Sequence, residues 1–477
     1  MSVGKGHATV FGFKHNPNAW GLGGAVACGA GDGIPANQES LVTKAMLIQN
    51  KGLFGSVTQL PGTKGTDLTD GTLEIDTIYQ GLEPMIAMLF GTAGTPTTIV
   101  AGAFSHTFQI AQNTEGLLAS LVATDPVWNR EWPYLKVDSL EFDWQPGKFG
   151  TLKLGFIAFG LNMNVGAPSS VNVVANAADA NVTYTLLATA GTLVSTTLTL
   201  FVPSQIQIVH TGTPTAFNLT ISGTDRDGNV ISEVFSLTTA GTFVTVNYFA
   251  TITGIVGSGL SGTPGTTQCG TLNGVNNSTT VASITLPIAP PPFVNFGQCS
   301  FQQNPAGGTA FPAIPVLSTG PSSTGTLYAI SRFNLKLERK LKKGDVTTRF
   351  APQQKVDEPV GGDFLAVTGG FGFSKLMGEN FQQAFLYANK GLSKMLVQFQ
   401  GGLIGATAIP YLWQFYLPAV QYDSGTHNVK GPGEVPLDIK FQGYDALVAP
   451  AGWPGFSSGS QACTMVVQSG RSTNALA

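Results

Sequence analysis

Few residues of this sequence are spaced for chemistry, and Ser457 is the first to weigh. Gly455-Phe456-Ser457-Ser458-Gly459 matches the G-x-S-x-G pattern of a nucleophile elbow. Such an elbow needs a strand before the serine, a helix after it, and a histidine later in the chain. The run lies in a Gly/Ser-rich tail, and the last histidine, His427, precedes it. A flexible turn is the better reading. Asp225-Arg226-Asp227-Gly228-Asn229 begins like a calcium loop, but its glycine is misplaced and Ser236 stands where the closing glutamate belongs. A hairpin turn accounts for it. The glycines between 29 and 33 join no buried strand to a helix, so no dinucleotide site is expected. His7, His15, His106, His210 and His427 lack metal-ligand spacing and read as hydrogen-bonded or surface side chains. Cys28, Cys269, Cys299 and Cys463 form no CxxC pair and read as reduced, mostly buried thiols. The expectation is no cofactor, no metal and no enzymatic activity.

Carboxylates remain. Between Lys136 and Gly160, Leu140, Phe142 and Trp144 alternate with Ser139, Glu141, Asp143 and Gln145. After Pro146-Gly147, Leu152, Leu154 and Phe156 return beside Thr151, Lys153 and Gly155. This is a long antiparallel hairpin with one apolar and one polar face. Glu74 and Asp76 repeat the pattern in Gly71–Tyr79. No histidine, cysteine or arginine lies close in sequence to give these four carboxylates chemistry. They belong to half of a site, to a solvated face, or to the lining of something. The one basic cluster, Arg339, Lys340, Lys342 and Lys343, ends a strand; it reads as a solvated loop or as a charged hairpin meeting a neighbouring subunit.

The elements that carry these groups are strands. The 477 residues contain 43% hydrophobic but only 11% charged side chains, against about 25% charged in ordinary soluble chains. Gly, Thr, Ser, Asn and Gln replace the missing charge, a mixture suited to strands and turns. A net charge of −3 argues against gripping nucleic acid through phosphate neutralisation. No Sec signal is read at the N-terminus, and no apolar run approaches a membrane span, so no membrane insertion is expected.

Residues 1–40 show no period and read as an extended arm. LVTKAMLI and GTLEIDTIY follow as strands. GLEPMIAMLFG is a helix, with Pro84 in its first turn, Glu83 beside it and Gly91 as its stop. FSHTFQIA, GLLASLVAT and the hairpin complete a first unit over 1–165. Charge then collapses: between Leu161 and Gly325 the charged residues are Asp179, Asp225, Arg226, Asp227 and Glu233. Residues 166–290 read as a separate β-sandwich, and 291–325 as a Pro-rich linker. From Thr326 to 450 the first unit's order returns: a strand, a helix (SKLMGENFQQAFLYANKG), strands, and a long hairpin over Pro418–Tyr444. Residues 451–477 form a C-terminal tail. The order describes a diverged tandem duplication with a domain inserted between its copies.

The strand GTLEIDTIY, helix GLEPMIAMLFG, strand FSHTFQIA and hairpin VDSLEFDWQPGKFGTLKLGF resemble the tail tube (major tail) proteins of long-tailed bacteriophages. SRFNLKLERKL, SKLMGENFQQAFLYANKG, IPYLWQFYLPAVQYD and VPLDIKFQGY resemble them too. The likeness covers about 1–165 and 293–450. It implies a mainly β fold: two tandem tube-type β-sandwich or barrel domains, each with a flanking helix, plus an inserted immunoglobulin-like β-sandwich. It implies a structural virion protein, assembled in the host cytoplasm into stacked rings that form a conduit for DNA. Chains with two tube domains form three-membered, pseudo-sixfold rings. The implied partners are further copies of the chain, the tape measure protein and the tail terminator or tip proteins, with DNA only in transit. Under this resemblance Glu74, Asp76, Glu141 and Asp143 are candidate lumen-facing groups, since a wall along which DNA slides should repel phosphate. Arg339, Lys340, Lys342 and Lys343 are the candidate inter-subunit loop. Two other classes stay open: a secreted or surface β-sandwich adhesin or carbohydrate-binding protein, and a hydrolytic tail component.

Overall fold

A computed structural model describes residues 9–17, 20, 26, 28–48, 63–94, 96–124, 128–159, 161–165, 170–188, 191–225, 228–272, 284–305, 327–341, 358–359, 361, 363–375, 387–425, 435–446 and 461–476. The fold is mainly β. The first half carries β1 (Val10–Asn16), β2 (Gly33–Ile34), β3 (Ala36–Glu39), β4 (Val42–Ile48), β5 (Thr63–Asp76), α1 (Glu83–Phe90), β6 (Thr97–Val100), β7 (Ala103–Gln109), β8 (Leu118–Thr124), β9 (Trp128–Trp144), β10 (Thr151–Phe159) and β11 (Asn162–Val165). The insert carries β12 (Ser170–Ala178), β13 (Gly191–Val194), β14 (Thr197–His210), β15 (Ala216–Thr224), β16 (Val230–Ser236), β17 (Gly241–Val244), β18 (Phe249–Ser261) and β19 (Thr266–Leu272). The second half carries β20 (Cys299–Pro305), β21 (Leu327–Tyr328), β22 (Arg332–Glu338), β23 (Ala366–Phe373), β24 (Ser393–Leu403), β25 (Pro410–Ser424), β26 (Leu437–Tyr444) and β27 (Thr464–Ser469).

Local sequence accounts for most of these elements. Alternation puts Leu140, Phe142 and Trp144 in the core and leaves Glu141 exposed. All eight residues of α1 are buried, as expected of a helix that is apolar all round. Its end follows from Gly91, whose φ of 82° is left-handed and whose N–H donates to the Ala87 carbonyl. Glu83 is buried at the other end. Its carboxylate accepts from the Gly81 N–H at 2.6 Å and the Ser469 hydroxyl at 2.8 Å.

The two halves share one pattern of strand pairing. In the first, β1 pairs with β2 and β8, β4 with β5, β5 with β10, and β9 with β8 and β10. In the second, β20 pairs with β21 and β24, β22 with β23, β23 with β26, and β25 with β24 and β26. Each of these pairings in one half thus has its counterpart in the other, while β3–β5, β6–β7, β9–β11 and β25–β27 have none among the described residues. The halves then meet edge to edge, β9 with β22, from Phe333 opposite Trp144 to Glu338 opposite Ser139. One core runs through both. At its centre Trp144 stacks on Phe399 with ring centroids 4.2 Å apart, and Phe142 meets Phe415 edge-on at 5.2 Å.

Several segment readings change. The N-terminal arm contributes β1, β2 and β3. The tail contributes β27, held between β25 and β7. Of the 291–325 linker, the described part is packed: Pro292 and Val294 exchange backbone hydrogen bonds with Tyr79, Thr77 and Gly150. Among the described residues the last strand of the insert ends at Leu272, while Ile284 packs on Cys28 and Val122 and the Thr285 carbonyl accepts from Gly31 and Gly33. Each is a pairing with a partner far away in sequence, which local periodicity does not report. The second helix candidate falls mostly outside the described residues, which resume at its end with Tyr387.

Candidate functional site

The four candidate carboxylates lie on one face of one sheet. Register places them in two neighbouring rows. The first runs Gln38, Glu74, Lys153, Glu141, Lys336, Thr368, Gln442 and Gln421, across β3, β5, β10, β9, β22, β23, β26 and β25. The second runs Asp76, Thr151, Asp143, Asn334, Gly370 and Lys440. Both cross from one half of the chain to the other without a break.

Register sets cations beside two of these carboxylates. Glu141 stands directly between Lys153 and Lys336, and Glu74 stands opposite Lys153. Asp76 accepts from the Asn37 amide at 2.6 Å, and Asp143 from the Gln145 amide at 2.8 Å. Lys336 bridges to Glu338 at 2.7 Å, and Arg332 to Asp438 at 2.9 Å. Opposite charges facing across a sheet contribute about 0.2–1 kcal/mol each. Lys153 was legible in the hairpin itself, whereas Lys336 comes from β22, far away in sequence. Carboxylates still outnumber cations here: Glu74, Asp76, Glu141, Asp143, Glu338 and Asp438 against Lys153, Lys336, Arg332 and Lys440.

The basic loop divides. Arg339 is 7% exposed, and its guanidinium donates to the carbonyls of Leu89 (2.7 Å), Phe90 (2.8 Å) and Ala111 (2.8 Å). It closes the C-terminus of α1, which has no basic residue in its own last turn. Burial lowers its pKa to about 10. A buried arginine that terminates a helix is no surface contact, so Arg339 leaves the inter-subunit set. The signal was present: Arg339 shares the inward parity of Phe333, Leu335 and Leu337. Lys340 is exposed and pairs with Asp363 at 3.1 Å. Lys342 and Lys343 lie outside the described residues.

Sequence reading missed Lys136, which is buried and paired with Glu358. Burial lowers the Lys136 pKa, against the opposing pull of Glu358. It also missed Tyr248 of the insert, buried against Glu131 of β9, its hydroxyl pKa raised by burial and then by Glu131. This contact ties insert to body.

Of the remaining motifs, the described residues make local structural contacts. Asp225 uses its carboxylate on the Asn229 backbone and side-chain amides, in the turn joining β15 to β16. His106 is buried, with each ring nitrogen 2.9 Å from a carbonyl oxygen, of Gly94 and of Arg471. His210 lies in the insert's interior beside Thr267 and Asp179. His15 is half-buried, and burial lowers its pKa. His7, His427 and the Ser457 motif lie outside the described residues. None of the four cysteines is in a disulfide, and burial raises their thiol pKa values, to about 12 for Cys269 and Cys299. Among the described residues no three His, Cys, Asp or Glu side chains converge on a metal position. No helix there is long and apolar enough to cross a membrane. Neither the models of known protein families nor the curated proteins match this sequence.

Proposed function

We propose that this chain is a tail-tube subunit of a long-tailed bacteriophage, a structural protein whose rings stack into a conduit for DNA. The observation that carries the reading is the β9–β22 junction. Two halves with the same pairings join edge to edge, and one polar face continues across the join. A unit that joins to its own repeat by rotation builds rings when further copies continue the rotation. With two repeats per chain, three chains make a ring of six repeats.

The polar face then lines the lumen, where its excess of carboxylates keeps passing phosphate from binding and its interleaved lysines moderate the repulsion. The insert stands off the ring as a decoration. Its partners are further copies of the chain, the tape measure protein and the proteins that end the tail; DNA passes without specific contact. Native mass spectrometry with negative-stain imaging of the purified protein tests this. Trimeric rings stacking into hollow tubes are the expected outcome. A monomer that persists at high concentration would sink it.

A further inference from the structure

Beyond β27 the chain runs back over the body as a short strap, Gly470–Leu476. The Gly470 N–H donates to the Gln80 side-chain oxygen at 2.8 Å, and the Leu476 N–H to that of Asn474 at 2.9 Å. Ala475 is buried in the core that both halves share, and Leu476 packs against it. A histidine stands at each end of the strap. His106 of β7 lies 2.9 Å from the Arg471 carbonyl, and His15 of β1 is hydrogen-bonded to the backbone of Leu476.

His106 is the more demanding of the two. Its side chain is fully buried, with Nδ1 2.9 Å from the Gly94 carbonyl and Nε2 2.9 Å from that of Arg471. A carbonyl oxygen only accepts, and a neutral imidazole has a single N–H to give. In the neutral ring one nitrogen therefore turns a lone pair toward an oxygen lone pair, where no solvent reaches. The imidazolium has two N–H groups and satisfies both carbonyls.

Few charged groups surround this ring. β6, β27 and the turn from Gly91 to Gly94 contain none. Glu83 at the start of α1 accepts from the Ser469 hydroxyl at 2.8 Å, and that oxygen accepts from the Arg471 N–H at 3.4 Å. Arg471 turns its guanidinium to the Asn474 carbonyl, 3.4 Å away. Burial, and then Glu83, raises the pKa of Tyr411 on β25, so that hydroxyl stays neutral. Glu83 and Arg471 offset each other, and the two carbonyls are what hold a second proton on His106.

We infer that Gly470–Leu476 is a proton-gated strap, fastened at Arg471 while His106 carries both ring protons and slackened there when it loses one. This fastening is complete at low pH and lost as the pH rises. His15 works in the opposite sense at the far end. Burial lowers its pKa, against the pull of the Leu476 backbone, so the neutral ring fits there and proton uptake loosens Leu476 as the pH falls. The strap is independent of the ring reading above.

Arg471 is itself a trypsin site, and cleavage after it needs the strap lifted. Where lifting and closing are fast, the cleavage rate reports the lifted fraction. The full chain is treated with trypsin at steps between about pH 6 and pH 8, the range in which histidines change charge, and release of the peptide after Arg471 is followed by mass spectrometry. Each rate is divided by that of a synthetic peptide of the same sequence, which removes the protease's own pH dependence. The ratio should rise about tenfold across that range in the unaltered protein. It should stay level in His106→Gln, whose amide donates at every pH, and still rise in His15→Gln. A level ratio in the unaltered protein, or a rising one in His106→Gln, would overturn the inference. Should His106→Gln fail to fold, nitrogen NMR of the unaltered protein with isotope-labelled histidine decides. Two protonated ring nitrogens on His106 at about pH 6 support the strap, and a single one refutes it.

Discussion

The body and the insert are both antiparallel sheets, yet only the body adds to its internally bound charges a row of charged side chains aligned on one face. In the insert, the described carboxylates are bound up internally. Asp179 accepts from the Gly265 N–H and the Thr267 hydroxyl, both at 2.7 Å. Glu233 accepts from the Val246 and Asn247 N–H groups, and Asp225 closes a turn. In the body, Glu83 and Arg339 are bound up internally as well, but Glu74, Glu141, Lys153 and Lys336 line up side by side on one polar face. The cores differ likewise. The insert packs around Val, Ile and Leu with Phe217 and Phe249, while the body stacks Trp144, Trp413, Phe142, Phe399 and Phe415 across two halves. The insert's described carboxylates serve its own backbone, while the body's sheet carries an aligned polar row beside its internally bound charges.

Breaking the body without the insert is the largest expected effect. Trp144→Ala removes a buried ring that touches both halves, a loss of about 3–5 kcal/mol. Calorimetry should show the body's transition falling while the insert's stays in place; a single shifted transition would mean that the two are one cooperative unit. Arg339→Met comes next. It removes the guanidinium donor from the Leu89 and Ala111 carbonyls, while the Phe90 carbonyl keeps the Ala111 N–H, at a cost of about 3 kcal/mol to the body. Hydrogen exchange should quicken at the end of α1 first. An unchanged body would refute the capping role.

Asp179→Ala reverses the target. The Gly265 N–H and the Thr267 hydroxyl lose their shared acceptor, which should cost the insert about 2 kcal/mol and leave ring mass unaltered. Loss of rings would show that the insert takes part in assembly. Smallest in stability is Glu141→Lys, which sets three lysines in a row and costs below about 1 kcal/mol. Its effect belongs to function: DNA passage through assembled tubes should slow at low salt and recover at high salt, since such fields are screened within about 8 Å in physiological salt. Equal rates at both salts in intact tubes would place Glu141 away from the lumen.

Much of this was legible in order along the chain. Strict alternation marked β9, β10 and β26, Pro84 and Gly91 bounded α1, and Asp225–Asn229 turned β15 into β16. Those features depend on neighbours within a few residues, where side-chain period and backbone preference act directly. The collapse of charge after Leu161 marked the insert for the same reason, since composition is local. The sequence even held the inward parity of Arg339, though not the helix end it would meet.

Only the tertiary structure decided which strands stand side by side. It placed Lys153 and Lys336 around Glu141, brought β1 and β27 into the sheets, and sent Arg339 to a helix some 250 positions earlier in the chain. A slip of one residue exchanges a strand's two faces, and a slip of two keeps the faces but changes every opposing pair. Register across hundreds of residues is therefore selected by the packing of the whole core, where Trp144 finds Phe399, and by no short run of sequence.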